Sequence, residues 1–125
     1  MLGGYRSLQW EKEMGTLATE SLNTSKPAAH ALDEQQAKEL LADLEGWELI
    51  NVDGIPRVEK SFAFKDFQQS LAFTNRVGAL AEDVGHHPAL LTEWGKVTVT
   101  WWSHSLGGVH RNDVIMAART ERLKG

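Results

Sequence analysis

The chain has 125 residues, 42% of them hydrophobic and 24% charged, the balance of one folded domain and far from a disordered or fibrous sequence. Thirteen Lys and Arg stand against 17 Asp and Glu, a formal charge of -4, so the basic footprint of a phosphate-backbone binder is missing and no nucleic acid partner is expected. Cysteine is absent, which excludes disulfides, thiolate catalysis and Cys-ligated metal centres. The apolar runs are too short for a membrane span or a secretory signal, and a reducing cytoplasm is the expected location.

Residues 1–31 are mixed and breaker-rich, with Gly3, Gly4 and Gly15 and the polar run Ser21 to Ser25 ahead of Pro27. They read as a flexible N-terminal extension, with Trp10 and Leu17 as its candidates for docking, and residues 32–125 read as the folded domain. Asp33 with Gln36 three positions later makes a capping box, and Ala37, Leu40, Leu41 and Leu44 repeat on one helical face until Gly46. Trp47 and Leu49 alternate with polar neighbours, Asp53-Gly54 is a turn, and Val58, Lys60, Phe62 and Phe64 recur at period two, which predicts a hairpin. Pro56 stands at the second strand's start, where a missing amide donor is tolerated.

Asp66 and Gln69 repeat the cap signature, and Phe67, Leu71, Thr74, Val77, Ala81 and Val84 predict the longest helix, ending at Gly85. Leu90 and Leu91 open a short strand, residues 93–96 turn, and Val97 to Trp102 alternate so that Val97, Val99 and Trp101 face the core. After a loop around Gly107-Gly108, the segment from Arg111 to about Leu123 carries Val114, Ile115, Ala117 and Ala118 as a last helix. The order helix-strand-strand-helix-strand-strand-helix, with short connections, predicts an α+β fold: a four-stranded antiparallel sheet with three helices packed on one face.

Four of the five histidines lie in the C-terminal third, and two are adjacent in Gly85-His86-His87-Pro88, where a helix must give way to a strand. Pro88 biases His87 toward extended backbone, so the two imidazoles diverge and cannot share one task. His104 follows the last strand, in register with Thr100 and Trp102. A three-His metal site fits poorly, because adjacent ligands are awkward and no His-x-x-x-His pair exists; no metal is expected. No cysteine and no nucleophile elbow are present, so imidazoles near neutrality point to acid-base chemistry, with Glu82, one turn before His86, as a carboxylate that supports an imidazolium. Trp47 and Trp102 are flat enough to stack on an aromatic ligand.

Glu82, three residues, His86-His87-Pro88, five residues, Trp94, nine residues, His104, eight residues, Asp113: this pattern resembles the signature of the pterin-4a-carbinolamine dehydratase family. The resemblance runs from Asp33 to the C-terminus and takes in Glu45-Gly46-Trp47 and the aromatic segment Phe62 to Phe67. It implies an antiparallel four-stranded sheet backed by three helices, and dehydration of 4a-hydroxytetrahydrobiopterin to quinonoid dihydrobiopterin without metal or cofactor. It implies a pterin site lined by His86, His87 and His104, with Glu82 at the acidic position, Trp47 a site-proximal aromatic and Asp113 a closing carboxylate; Pro88 and Trp102 complete the expected substrate-binding set. A homodimer or homotetramer through sheet edges and helix faces also follows from the resemblance.

Losing water from the 4a carbon needs one acid for the departing hydroxyl and one base for the N5 proton. His86 and His87 are the expected partners of the hydroxyl and His104, supported by Glu82, of the N5 proton, although sequence leaves open which imidazole does which. Two departures stand out: Ser103 where the family usually has Thr, and Gly108-Val109-His110 where it has Gly-Leu-Thr or Gly-Leu-Ser. His110 is expected to cap the last helix less well than Ser or Thr. The alternative reading is a non-catalytic protein-binding or assembly module on the same fold, since fold alone does not decide function.

Overall fold

The structure is a computed structural model that describes residues 16–22 and 30–124. Asp33 caps α1 (Glu34–Leu41): its carboxylate accepts from the Gln36 amide at 2.8 Å while the Gln36 side chain accepts from the Asp33 amide at 3.0 Å. The helix is shorter than its apolar repeat predicts. It ends at Ala42, and Leu44 reaches the core from a turn, because the chain reverses at Gly46 with φ 86°, a left-handed conformation that costs glycine nothing.

Strands β1 (Glu48–Val52) and β2 (Ile55–Ala63) form a hairpin closed by Asp53 and Gly54, both left-handed at φ 53° and 79°, as a two-residue turn matched to sheet twist requires. Asp66 caps α2 (Phe67–Val84), accepting from the Gln69 amide at 2.8 Å. Strands β3 (Ala89–Glu93) and β4 (Lys96–Trp101) form the second hairpin, and a 3-10 turn (His104–Leu106) leads to α3 (Arg111–Leu123). The sheet runs β1-β2-β4-β3, antiparallel throughout. The predicted element order and sheet are those observed.

One face of the sheet presents Val58, Phe62, Val97, Val99 and Trp101, all buried, to Phe73, Val77 and Ala81 of α2 and to Val114, Met116, Ala117 and Ala118 of α3. Phe62 is the hub of an aromatic cluster, with ring centroids 6.0 Å from Trp47 and 4.8 Å from Phe73; Phe64 lies 5.0 Å from Phe73. Packing of this kind contributes more than area alone. The first half of α2 is rotated from the expected stripe: Ser70 and Phe73 are buried, whereas Phe67 and Leu71 are 45% and 43% exposed. Both sets have helical spacing; Phe73 wins because it fills the space between Phe62 and Phe64.

The opposite face alternates by the pleat and carries Arg57, Glu59, Ser61, Thr98, Thr100 and Trp102. Hydrogen bonds cross it from Thr100 to Glu59 at 2.8 Å and between Ser61 and Thr98 at 2.9 Å. Residues 16–22 pack on α3: Leu17 and Ala18 are buried in the core, and the Arg119 guanidinium donates to the carbonyls of Ala18 and Glu20 at 3.1 and 2.8 Å. Glu20 also accepts two hydrogen bonds from Arg111, at 2.5 and 2.8 Å. Trp10 and the rest of the expected extension, 1–15 and 23–29, lie outside the described residues. No described helix is long and apolar enough to cross a membrane.

Candidate active site

Gly85 ends α2 in the left-handed conformation at φ 70°, its amide and that of His86 both donating to the Ala81 carbonyl, at 2.9 and 3.2 Å. This sharp exit lays the His86 ring parallel to Trp101, with centroids 5.7 Å apart and planes at 8°. It also brings Nε2 of His86 to 2.5 Å from Oδ1 of Asp113. Asp113 has no solvent exposure. Its second oxygen accepts from the Ser103 hydroxyl and the His110 amide, both at 2.8 Å. With two donors on one oxygen of this buried side chain, Nε2–H of His86 is the third partner that completes the acceptor capacity of a carboxylate.

Asp113 is held there by the start of α3. Its bond to the His110 amide is half of a capping box, whose other half runs from the Asp113 amide to the His110 side chain; the Asn112 amide also donates to Nδ1 of His110, at 2.9 Å. His110 does cap the helix: its imidazole nitrogen accepts the bond that a Ser or Thr oxygen usually takes. The signal was present in the sequence, since His110 and Asp113 stand at the spacing of a capping box, but histidine is not the residue normally sought there.

With Nε2–H donated to Asp113, the His86 tautomer is set and Nδ1 is left as the proton-exchanging atom; it has no hydrogen-bond partner among the described residues. His87 points elsewhere, its Nε2 2.5 Å from Oε1 of Glu82. Glu82 thus serves His87 rather than His86 or His104, and the expected Glu82 support for His104 is replaced by this pairing. Pro88, half-buried, leads directly into β3.

His104 is exposed, its ring 4.4 Å from that of Trp102 at 35°. The Arg57 guanidinium carbon lies 3.9 Å from the Trp102 centroid. Both groups therefore pack against the Trp102 indole. At the end of β4, His86 thus lies against Trp101 on the core side, and His104, in the turn that follows the strand, lies against Trp102. Ser103, between them in sequence, is tied to Asp113.

Trp47 is engaged differently. It is buried, packs edge-on against Phe62, and its indole N–H donates to Glu121 at 2.9 Å; the Lys60 ammonium joins the same carboxylate and the Glu45 carbonyl. Its ring and N–H contacts are with these groups rather than with the three histidines. Two open concavities lie along α1 and where β2 runs into α2, and neither is lined by a histidine. Among the described residues, no three His, Asp or Glu side chains come together in a metal-holding group.

Residues 30–123 match the family described as pterin 4 alpha carbinolamine dehydratase. The chain belongs to this family. A member from Chlorobaculum tepidum, named "Putative pterin-4-alpha-carbinolamine dehydratase", is 55% identical over 95 residues, covering 76% of this chain and 86% of its own. A pterin-4-alpha-carbinolamine dehydratase homologue bearing the same name in Nitrosococcus oceani is 47% identical over 110 residues, 88% of this chain and 97% of its own. A crystal structure of a transcriptional coactivator/pterin dehydratase from Brucella melitensis superposes with a TM-score of 0.69 at 34% identity, over 77% of this chain and 100% of that one. A pterin dehydratase-like protein described as a RuBisCO assembly factor in the alpha-carboxysome gives 0.55 at 29% identity, over 66% and 93%.

Proposed function

We propose that this pterin-4a-carbinolamine dehydratase family member is a hydro-lyase that converts 4a-hydroxytetrahydrobiopterin to quinonoid dihydrobiopterin in tetrahydrobiopterin recycling. The observation that carries the reading is the His86–Asp113–Ser103 network, whose Ser103 immediately precedes His104 in the chain. The C4a–O bond breaks as the hydroxyl takes a proton and leaves as water, and the electron pair of the N5–H bond forms the C4a=N5 double bond as that proton is removed. The carbon already bears its leaving group, so positioned acid and base suffice, contributing roughly 100- to 10,000-fold.

His86 is the better candidate for the base. Its Nε2–H is committed to Asp113, so Nδ1 accepts, and the imidazolium that forms lies against a buried carboxylate. His104 and His87 then serve the departing hydroxyl. This exchanges the roles expected for His86 and His104, because the buried carboxylate belongs to His86. Pro88, Trp102 and Glu82 flank these groups; Trp47 belongs to the core, packed against Phe62 and bonded to Glu121.

The edge strands β1 and β3, Leu91 at 58% exposure on β3, and exposed Phe67 and Leu71 on α2 support a homodimer or homotetramer, working in the cytoplasm. The test is stopped-flow measurement of carbinolamine breakdown by wild type, His86→Ala and His104→Ala. Acceleration over the spontaneous reaction that each variant cuts by about 100-fold or more supports the proposal. Wild type no faster than buffer overturns it and favours the second reading, an assembly module like the RuBisCO assembly factor that shares the fold.

A further inference from the structure

The three histidines are held unequally. His86 and His87 each have a carboxylate, whereas neither ring nitrogen of His104 has a hydrogen-bond partner among the described residues, and its ring contact is with Trp102. An exposed imidazole with no hydrogen bond samples several rotamers unless packing selects one. The indole therefore sets where the His104 ring lies.

What holds the indole is Arg57. Its guanidinium carbon sits 3.9 Å from the Trp102 centroid, while its Nε is buried with no hydrogen-bond partner. Leaving a buried donor unpaired is costly. Glu59 stands two residues along on the same face, yet its carboxylate accepts from Thr100. No ion pair between Arg57 and a described carboxylate compensates. The side chain's pose is thus set by stacking, which a planar guanidinium provides and a lysine does not.

Building on the proposed dehydratase reading, we infer that Arg57 is a positioning residue that acts through Trp102 to fix the His104 imidazole. Held by the guanidinium, the indole keeps its place, and its contact with the His104 ring presents the imidazole beside the strand end that carries Ser103. Arg57 lies on β2, more than 40 residues from His104 in sequence, and it meets Trp102 because β2 pairs with β4.

Two measurements on the full-length chain test this. Side-chain proton–carbon NMR reads whether the His104 ring protons lie in the shielding zone of the indole. Trp102→Leu should move them downfield; Arg57→Ala and Arg57→Lys should move them the same way by a smaller amount, with His86 ring signals, shielded by Trp101, unchanged as the check on folding. His104 signals that stay put in folded Arg57→Ala, or full rescue by Lys, overturn the inference. In the dehydratase assay, Arg57→Ala should lower kcat about tenfold with KM little changed, part of the hundredfold that a misplaced group can cost.

In a His104→Ala background the same change should have an effect within about twofold. Additive losses, or a rise in KM at constant kcat, would show that Arg57 acts on its own or binds substrate directly. If wild type proves inactive, the dehydratase reading falls while the NMR comparison still decides whether Arg57 positions His104.

Discussion

His86 and His87 are neighbours in sequence, and each places Nε2 2.5 Å from a carboxylate. By distance the two pairs are the same. By surroundings they are not: the His86 and Asp113 side chains are 22% and 0% exposed, those of His87 and Glu82 57% and 80%. Water screens the second pair and competes for its hydrogen bond, so its geometry is one arrangement among several. The first has an acceptor with no access to water and two further donors that fix its orientation. Burial, not proximity, decides which imidazole has a defined tautomer and a defined direction for proton exchange.

The sharpest way to break this contrast is Asp113→Ala. It strands the His86 Nε2–H, the Ser103 hydroxyl and the His110 amide together, and should cost about 3–5 kcal/mol in denaturant titrations, the range for removing one partner of a buried pair. A loss below about 1 kcal/mol would mean that water replaces the carboxylate easily and that the site is not dry.

The cap that holds Asp113 can be probed next. His110→Ala should lower stability by about 1 kcal/mol, while His110→Ser, which restores a side-chain oxygen acceptor, should stay within roughly 0.5 kcal/mol of wild type. An alanine variant as stable as the serine variant would remove His110 from the account of how α3 starts.

The pair between Glu20 and Arg111 is intermediate in exposure, at 31% and 46%. The Arg111 hydrogen bond holds the Glu20 carboxyl below its ordinary range, burial opposing, and Glu20 in turn raises Arg111. Because the folded value is depressed, the contribution is fully present above the unfolded glutamate value of about 4.3 and is lost as pH falls through the lower folded value. Glu20→Gln should therefore cost about 0.5 kcal/mol near pH 7, after allowance for solvent screening, and progressively less as pH falls below the ordinary glutamate range. A cost that persists in acid would assign the effect to packing instead.

Smallest of all should be Glu82→Gln, within roughly 0.5 kcal/mol of wild type by thermal or chemical unfolding.

Much of this architecture is local and could be read from the chain. The Asp33 and Asp66 caps, the Asp53-Gly54 turn and the alternation from Val97 to Trp102 are each encoded within a few residues, and the element order follows from them. What was not legible depends on partners far away. Phe67 and Leu71 have the same helical spacing as Ser70 and Phe73, and only the aromatic gap beside Phe62 selects the second pair. Trp47 is equally suited to a ring-stacking site and to a core; Phe62 and Glu121 decide for the core.

The candidate site divides the same way. The three histidines and two carboxylates stand out as residue types, but which carboxylate meets which imidazole depends on Asp113 reaching His86 across 27 residues. Arg57 reads as an ordinary polar strand position until Trp102 is seen beneath it. In residues 16–22, Leu17 is legible as a docking candidate, whereas Ala18, which joins it in the core against α3, is not.

The account rests on the buried carboxylate governing proton transfer at His86, and carbinolamine breakdown by Asp113→Asn beside Glu82→Gln tests that directly. An amide at position 113 presents an N–H where an acceptor is needed, so the His86 tautomer is released; the rate should fall about 100-fold while Glu82→Gln stays within about threefold of wild type. Equal losses in the two variants, or a larger loss in Glu82→Gln, would contradict it.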